Sequence, residues 1–214
     1  MPTRSYTKTD LIFLIADDAL STLFGKPRSS DRPNPSDGLT DQSLSNTGKK
    51  QSIRLMRVNH SGEICAQALY RGQALTARSK SVKSHMIQAS REESDHLDWC
   101  QQRLQSLGGD VSILNPVWYA GSFFMGSIVG TIGDKWSLGF VAETENQVKT
   151  HLDGHLKRLP NDDIASHAII KTMIDDESNH ATKALQNGGV KLPHYIKTAM
   201  KFSSKLMKAT SHWI

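Results

Sequence analysis

Apolar residues recur along this chain every three or four positions, with no sustained alternation of apolar and polar residues, so the pattern predicts helices and a single all-α domain. One stripe reads Met86, Ala89, Glu93, His96, Leu97, Cys100 and Leu104, and another reads Ile170, Met173, Glu177, His180, Ala181 and Ala184. Both are apolar faces interrupted only by Glu and His. On a third helix Val141, Glu145, Val148 and Leu152 share a face. Glu143 sits about 200° around that helix from Glu145 and runs with Gly139, Asn146, Gln147 and Thr150, so only Glu145 is expected to point inward. The remaining stripe, His60, Glu63, Gln67 and Tyr70, is more polar than the others.

The interruptions repeat. Glu93-Ser94-Asp95-His96 follows Glu63 by 30 residues, and Glu177-Ser178-Asn179-His180 follows Glu145 by 32. Residues three apart lie on one helix face, so each Glu-x-x-His aims a carboxylate and an imidazole at one point. A chain that climbs about fifteen residues, turns and descends about fifteen at ~1.5 Å per residue returns to the level of its first glutamate. Two such antiparallel hairpins, facing each other, surround one centre with Glu63, Glu93, His96, Glu145, Glu177 and His180. Carboxylates on apolar stripes are costly to bury without cations, and this donor set suits a pair of iron or manganese ions in a four-helix bundle. Glu92 and Asp176 each precede a ligand glutamate, on helices facing the opposite histidine, and are expected to hold the histidines' outer nitrogens. His60, His151 and His155 lie on the ligand helices but are left out of the ligand set. Cys65 and Cys100 are too far apart for a Cys-x-x-Cys pair, which excludes zinc ribbons and iron–sulfur clusters and favours reduced thiols.

Outside the four helices, Asp10 to Gly25 predicts a short amphipathic helix whose apolar run ends at Asp17-Asp18, too short and badly flanked for a signal peptide, so the protein is expected to stay cytoplasmic. Lys26 to Gln51, with Pro27, Pro33 and Pro35, reads as a flexible linker. The chain therefore divides into residues 1–51, an N-terminal helix and linker, and residues 52–214, the bundle domain. Between Asp110 and Asp134 no residue is charged, and the segment carries Trp118, Tyr119, Phe123, Phe124, Met125, Ile128 and Val129. Glycines and Pro116 make it a poor bilayer span; it is expected either to be a buried helix or to present an apolar face to a membrane or a hydrophobic tunnel. A C-terminal stripe, Lys197, Lys201, Lys205 and Lys208, runs beside Met200, Phe202 and Leu206 and suits an anionic membrane surface. The net charge of +5 is modest and no nucleic-acid motif accompanies it, so nucleic acid is excluded as a partner.

Three segments, Arg57-Val58-Asn59-His60-Ser61-Gly62-Glu63, Asn115-Pro116-Val117-Trp118-Tyr119-Ala120-Gly121 and Gly139-Phe140-Val141-Ala142-Glu143-Thr144-Glu145, resemble the bacterial demethoxyubiquinone hydroxylases. All six ligands of that family map onto the six residues above. The resemblance implies a ferritin-like four-helix bundle with extra N- and C-terminal helices, two iron ions per chain, and a di-iron monooxygenase that uses O₂ to hydroxylate the ring of a polyprenylated demethoxy-benzoquinol in ubiquinone synthesis. It also implies peripheral attachment to the cytoplasmic face of the inner membrane and accessory ubiquinone-biosynthesis proteins. The polar stripe of the first helix would then border the substrate pocket. A ferroxidase or iron store on the same fold predicts a symmetric shell without apolar access, and a metal-free scaffold or lipid carrier would bury no carboxylates.

Overall fold

A computed structural model describes residues 7–27, 30, 32–39 and 44–214. Among the described residues there are seven helices and no strand: α1 (Lys8–Phe24), α2 (Asn46–Thr76), α3 (Lys80–Ser106), α4 (Asn115–Ile132), α5 (Asp134–Leu156), α6 (Ile164–Gln186) and α7 (His194–Ser211). Helices α2 and α3 form one antiparallel hairpin and α5 and α6 the other; together they make the four-helix bundle, with α1 and α7 as the extra terminal helices and α4 as the crossover.

Both ends of the bundle are tied. At one end the Asp134 carboxylate accepts hydrogen bonds from the backbone of Arg78 (3.0 Å) and Ser79 (2.8 Å), joining the α2–α3 turn to the start of α5. At the other, Arg103 on α3 forms a buried 2.6 Å ion pair with Asp163 and donates to Ser166 at the head of α6. Asp163 also caps α6 by accepting from the Ser166 amide. These ties set the vertical register of one hairpin against the other.

Helix α2 begins at Asn46, ahead of the expected start near Ser52, because Ser45 caps it by accepting from the Gly48 amide at 3.0 Å. The described part of the expected linker is not free: Asn34 donates to Gln102 on α3 at 2.9 Å, and a turn closes over Asn34 to Leu39. Arg28, Ser29, Asp31 and residues 40–43 of that linker lie outside the described residues.

Helix α4 is only partly buried. One side, Tyr119, Gly126, Val129 and Gly130, packs on α2, and the approach is close enough that a Cβ on Gly126 would run into the Leu69 carbonyl and one on Gly72 into the Phe123 carbonyl. The opposite side exposes Val117, Phe124, Met125, Ile128 and Ile132. Phe123, in the segment expected either to be buried or to present an apolar face, stacks on Tyr119 (ring centroids 6.4 Å apart) and, like Ala19 and Leu23 of α1, packs against the cluster of Ile64, Ala68, Leu97 and Tyr119. The lysine stripe of α7 is also thinned, because Lys197 pairs with Glu143 at 2.7 Å and Lys208 is half-buried, leaving Lys201 and Lys205 exposed beside Tyr195, Phe202 and Leu206. Among the described residues no helix is long and apolar enough to cross a membrane.

The glycine seam separates two effects of Gly→Ala. At Gly121, where an added methyl meets nothing within 4 Å, alanine should stabilise by about 0.5–1 kcal/mol through helix propensity. At Gly126 the methyl meets backbone that cannot yield, so the same change should destabilise by about 1–3 kcal/mol. Urea unfolding of both variants checks the contrast, and equal shifts would contradict the close packing of α4 on α2.

Candidate metal centre

The bundle interior has two apolar layers. Leu55, Met56, Trp99, Cys100, Leu152, Ile169 and Met173 belong to one; Tyr70, Met86, Leu138, Val141 and Ala184 belong to the other. On every bundle helix the metal-ligating candidate lies between the two in sequence: Glu63 after Met56 and before Tyr70, Glu93 and His96 between Met86 and Trp99, Glu145 between Val141 and Leu152, Glu177 and His180 between Met173 and Ala184. All six are buried, and the most exposed, His180, has 6 % of its surface accessible.

The six fall into two overlapping groups of four, Glu63, Glu93, His96 and Glu177, and Glu93, Glu145, Glu177 and His180; within each group the donor atoms lie within 4.8 Å of one another. Donors on opposite sides of an ion bound at about 2.1 Å are about 4.2 Å apart, so each group is compact enough to surround one. Glu93 and Glu177 belong to both. Nδ1 of His96 lies 3.1 Å from Glu93 Oε2 and 3.3 Å from Glu177 Oε1, whereas Nδ1 of His180 lies 3.1 Å from Glu93 Oε1 and 3.4 Å from Glu177 Oε2. Each of these carboxylates thus turns one oxygen to each histidine. Glu63 reaches only His96, at 3.7 Å.

Several of these atoms are orphans. Glu93 Oε1, Glu145 Oε1, Glu177 Oε2 and His180 Nδ1 are buried and lack a partner with hydrogen-bond geometry, although the last approaches two carboxylate oxygens. Unsatisfied buried acceptors converging on one point are what a cation requires and what a packed core excludes. The histidines' outer nitrogens are held: His96 Nε2 lies 3.0 Å from Asp176 Oδ2 and His180 Nε2 lies 2.6 Å from Glu92 Oε2. With Nε2–H donated to a carboxylate, the Nδ1 lone pair is left for the centre.

The electrostatics follow from burial and pairing. Burial, with Glu177 close by, pushes Glu145 well above the usual carboxylate range, and burial does the same to Glu63. Burial also opposes ionisation of Glu93 and Glu177, but the two histidines close beside them outweigh it and hold both below the usual value. Burial likewise disfavours the charged forms of His96 and His180, yet the carboxylates around them raise both well above an ordinary histidine. Protons therefore stand where positive charge is needed. Cations entering the centre would displace them.

Residues 50–211 match the family described as ubiquinone biosynthesis protein COQ7. The chain belongs to the COQ7 family. Its similarity to named relatives extends over the whole length: it is 50 % identical to the 3-demethoxyubiquinol 3-hydroxylase of Nitrosococcus oceani across 100 % of both chains. It is 51 % identical to the enzyme of the same name from Nitrosomonas europaea, over 96 % of this chain and 98 % of that one. The Coxiella burnetii enzyme is 47 % identical, over 99 % and 98 %.

In this COQ7 chain Glu143 stands apart from the centre, bonded to Lys197 and Gln147. The polar stripe of α2 is buried: Gln67 donates to the Glu93 carbonyl at 3.3 Å, and His60 pairs with Asn115 at the head of α4, burial depressing its pKa to about 4. His151 and His155 meet edge to face beside α7 and belong to neither donor group. Burial raises Cys65 to about 11 and Cys100 well above an ordinary thiol, so neither offers a thiolate.

One contact was not foreseen. Ser30 donates both its amide and its hydroxyl to the fully buried Asp95, each at 2.6 Å, and Arg32 donates to Asp176 at 2.7 Å. The signal available in the sequence was the mismatch between the two motifs, Asp95 in one and Asn179 in the other.

Glu145→Ala should weaken binding of one ferrous ion by at least about tenfold in anaerobic titration. Glu143→Ala should leave metal binding intact and cost less than about 1 kcal/mol, since its pair with Lys197 is partly solvated. The reverse ranking would show that α5 presents its other face.

Proposed function

We propose that this chain is a 3-demethoxyubiquinol 3-hydroxylase: a di-iron monooxygenase in which Glu63, Glu93, His96, Glu145, Glu177 and His180 would hold two iron ions, Glu93 and Glu177 being common to the two donor groups. The observation that carries the proposal is the pair of overlapping four-donor groups sharing two carboxylates. Four carboxylates balance the charge of two ferrous ions, and the oxygen-rich donor set with two imidazoles suits iron. The names of the relatives supply the substrate class.

When bound and reduced, iron would supply the redox chemistry by which one atom of O₂ enters the substrate ring and the other leaves as water, a step that takes up two protons and two electrons, the electrons being restored by an external reductant. The chain's own residues prepare the place. Asp176 and Glu92 hold the imidazoles so that Nδ1 faces inward. The apolar layers on either side keep water from the centre, which strengthens electrostatic contacts there and protects the reaction from side paths. No side chain need act as a nucleophile.

A polyprenyl quinol resides in a bilayer, and the outward residues of α4 together with Phe13, Leu20 and Phe24 of α1 form apolar surface suited to peripheral attachment at the cytoplasmic face of the inner membrane. Lys201 and Lys205 add an electrostatic contribution of about 1 kcal/mol each near anionic lipid.

Anaerobic titration should give about two Fe²⁺ per chain with release of protons, and the loaded, reduced protein given O₂ and 3-demethoxyubiquinol should yield the hydroxylated quinol by mass spectrometry. Iron oxidation and storage beyond two ions without quinol turnover would favour a ferroxidase and overturn the proposal.

For the surface, Phe124→Ser with Ile128→Ser should lower co-sedimentation with anionic liposomes at every salt concentration. Lys201→Gln with Lys205→Gln should remove mainly the salt-sensitive part. Wild-type protein that stays in the supernatant at low salt would refute attachment.

A further inference from the structure

The two halves of the centre are alike inside and different outside. On the α6 side, His180 leans on Glu92, whose other hydrogen bond comes from the neutral Gln88 at 2.9 Å. On the α3 side, His96 leans on Asp176, and the same oxygen, Oδ2, also accepts from Arg32. Arg32 belongs to neither hairpin. It comes from the segment between α1 and α2, which is tied to α3 at three points, the Ser30 contacts and the stack on Trp99 being the two that deliver the guanidinium. Ser30 is anchored on Asp95, next to His96; the Arg32 guanidinium lies over the Trp99 ring at 5.0 Å, and Trp99 packs against the His96 ring at 5.4 Å; Asn34 is tied to Gln102. Asp95 is fully buried, and the Ser30 contacts, with Arg32 Nη1 as a further neighbour 3.9 Å away, satisfy a carboxylate cut off from solvent. Its counterpart in the second motif, Asn179, is exposed and needs no such cover.

We propose that Arg32 is a positioning residue: by fixing Asp176, and stacking on Trp99 beneath the His96 ring, it clamps the metal position served by His96 from outside the bundle, whereas the position served by His180 has only the neutral Gln88 of the same helix behind Glu92. The proposal rests on the di-iron reading above. A carboxylate with only one partner is free to turn toward solvent, and Asp176 has an open side through which to do so, its side chain being 21 % exposed. The guanidinium's planar donors hold it in place in a way that a mobile lysine would reproduce only in part.

The test uses the full-length chain, wild type and with Arg32→Ala, Arg32→Lys, Asn34→Ala and Asp176→Ala. Each is titrated anaerobically with Fe²⁺ and examined by Mössbauer spectroscopy after loading with ⁵⁷Fe. Removing a direct partner of a ligand histidine weakens metal binding by roughly 10–100-fold; Arg32 is one bond further out, so about three- to tenfold is expected. Arg32→Ala should weaken one of the two ions and shift or broaden one quadrupole doublet, leaving the other as in wild type. Asp176→Ala should act on the same ion more strongly, Arg32→Lys should restore most of the loss, and Asn34→Ala, which removes a tie of the segment without touching Asp176, should resemble wild type. Equal weakening of both ions, no change, or identical effects of Arg32→Ala and Asn34→Ala would overturn the proposal. Wild-type protein that holds only one ion refutes the di-iron reading instead, and Arg32 then keeps its role only if Arg32→Ala weakens that ion and Asn34→Ala does not. Wild-type protein that holds none refutes both.

Discussion

Burying Glu63, Glu93, Glu145 and Glu177 within a few ångströms of one another, between two apolar layers, is strongly unfavourable unless positive charge sits among them. Much else in the fold meets that requirement. The hairpins bring two imidazoles to the same level as the four carboxylates. The turn between α2 and α3 is tied to Asp134, and α3 to the head of α6 through Arg103 and Asp163, so neither hairpin can slide and carry its ligands out of plane. A slip of one residue on any bundle helix would rotate a carboxylate by about 100° into an apolar layer. The register and the charge balance are thus one constraint.

This constraint is also why so much was legible beforehand. A charged residue on an apolar stripe stands out against a background that tolerates none, and a three-residue spacing with two matched repeats leaves little freedom in where the helices meet. The choice of Glu145 over Glu143 came from helical phase alone, and the structure places Glu145 among the donors and Glu143 against Lys197. Which carboxylates face both histidines was not legible, because that depends on the separation of the helices and on side-chain torsions, neither of which spacing encodes. In hindsight the two Glu-x-x-His glutamates are the shared ones: each lies one turn from its own histidine and directly across from the other.

Surface features were read less well, for a reason of a different kind. Phe123 and Phe124 are chemically equivalent, and only the packing around each decides that one is partly covered and the other exposed. Lys197 looks like its neighbours in the stripe until Glu143, distant in sequence, is brought beside it. The linker composition, rich in Ser, Pro and Asp, fits the absence of helix from the described residues of that segment before Asn46 but does not reveal that polar side chains there have partners. Composition reports what a segment cannot bury and is silent about what it binds.

The internal repeat shows how two equivalent halves become distinct. Inside, each histidine faces Glu93 and Glu177 at similar distances. Outside, the crossover α4 packs mainly on one hairpin, seamed to α2 by glycines, and described residues of the segment before α2 lie on the outer face of α3. Because Asp95 is buried and Asn179 exposed, covering one motif required hydrogen-bond donors that the other did not. Those donors came from residues with no equivalent in the second hairpin. The pseudo-twofold arrangement that creates the donor set is therefore broken by connecting segments, so the two donor groups, alike inside, differ in what lies behind their histidines.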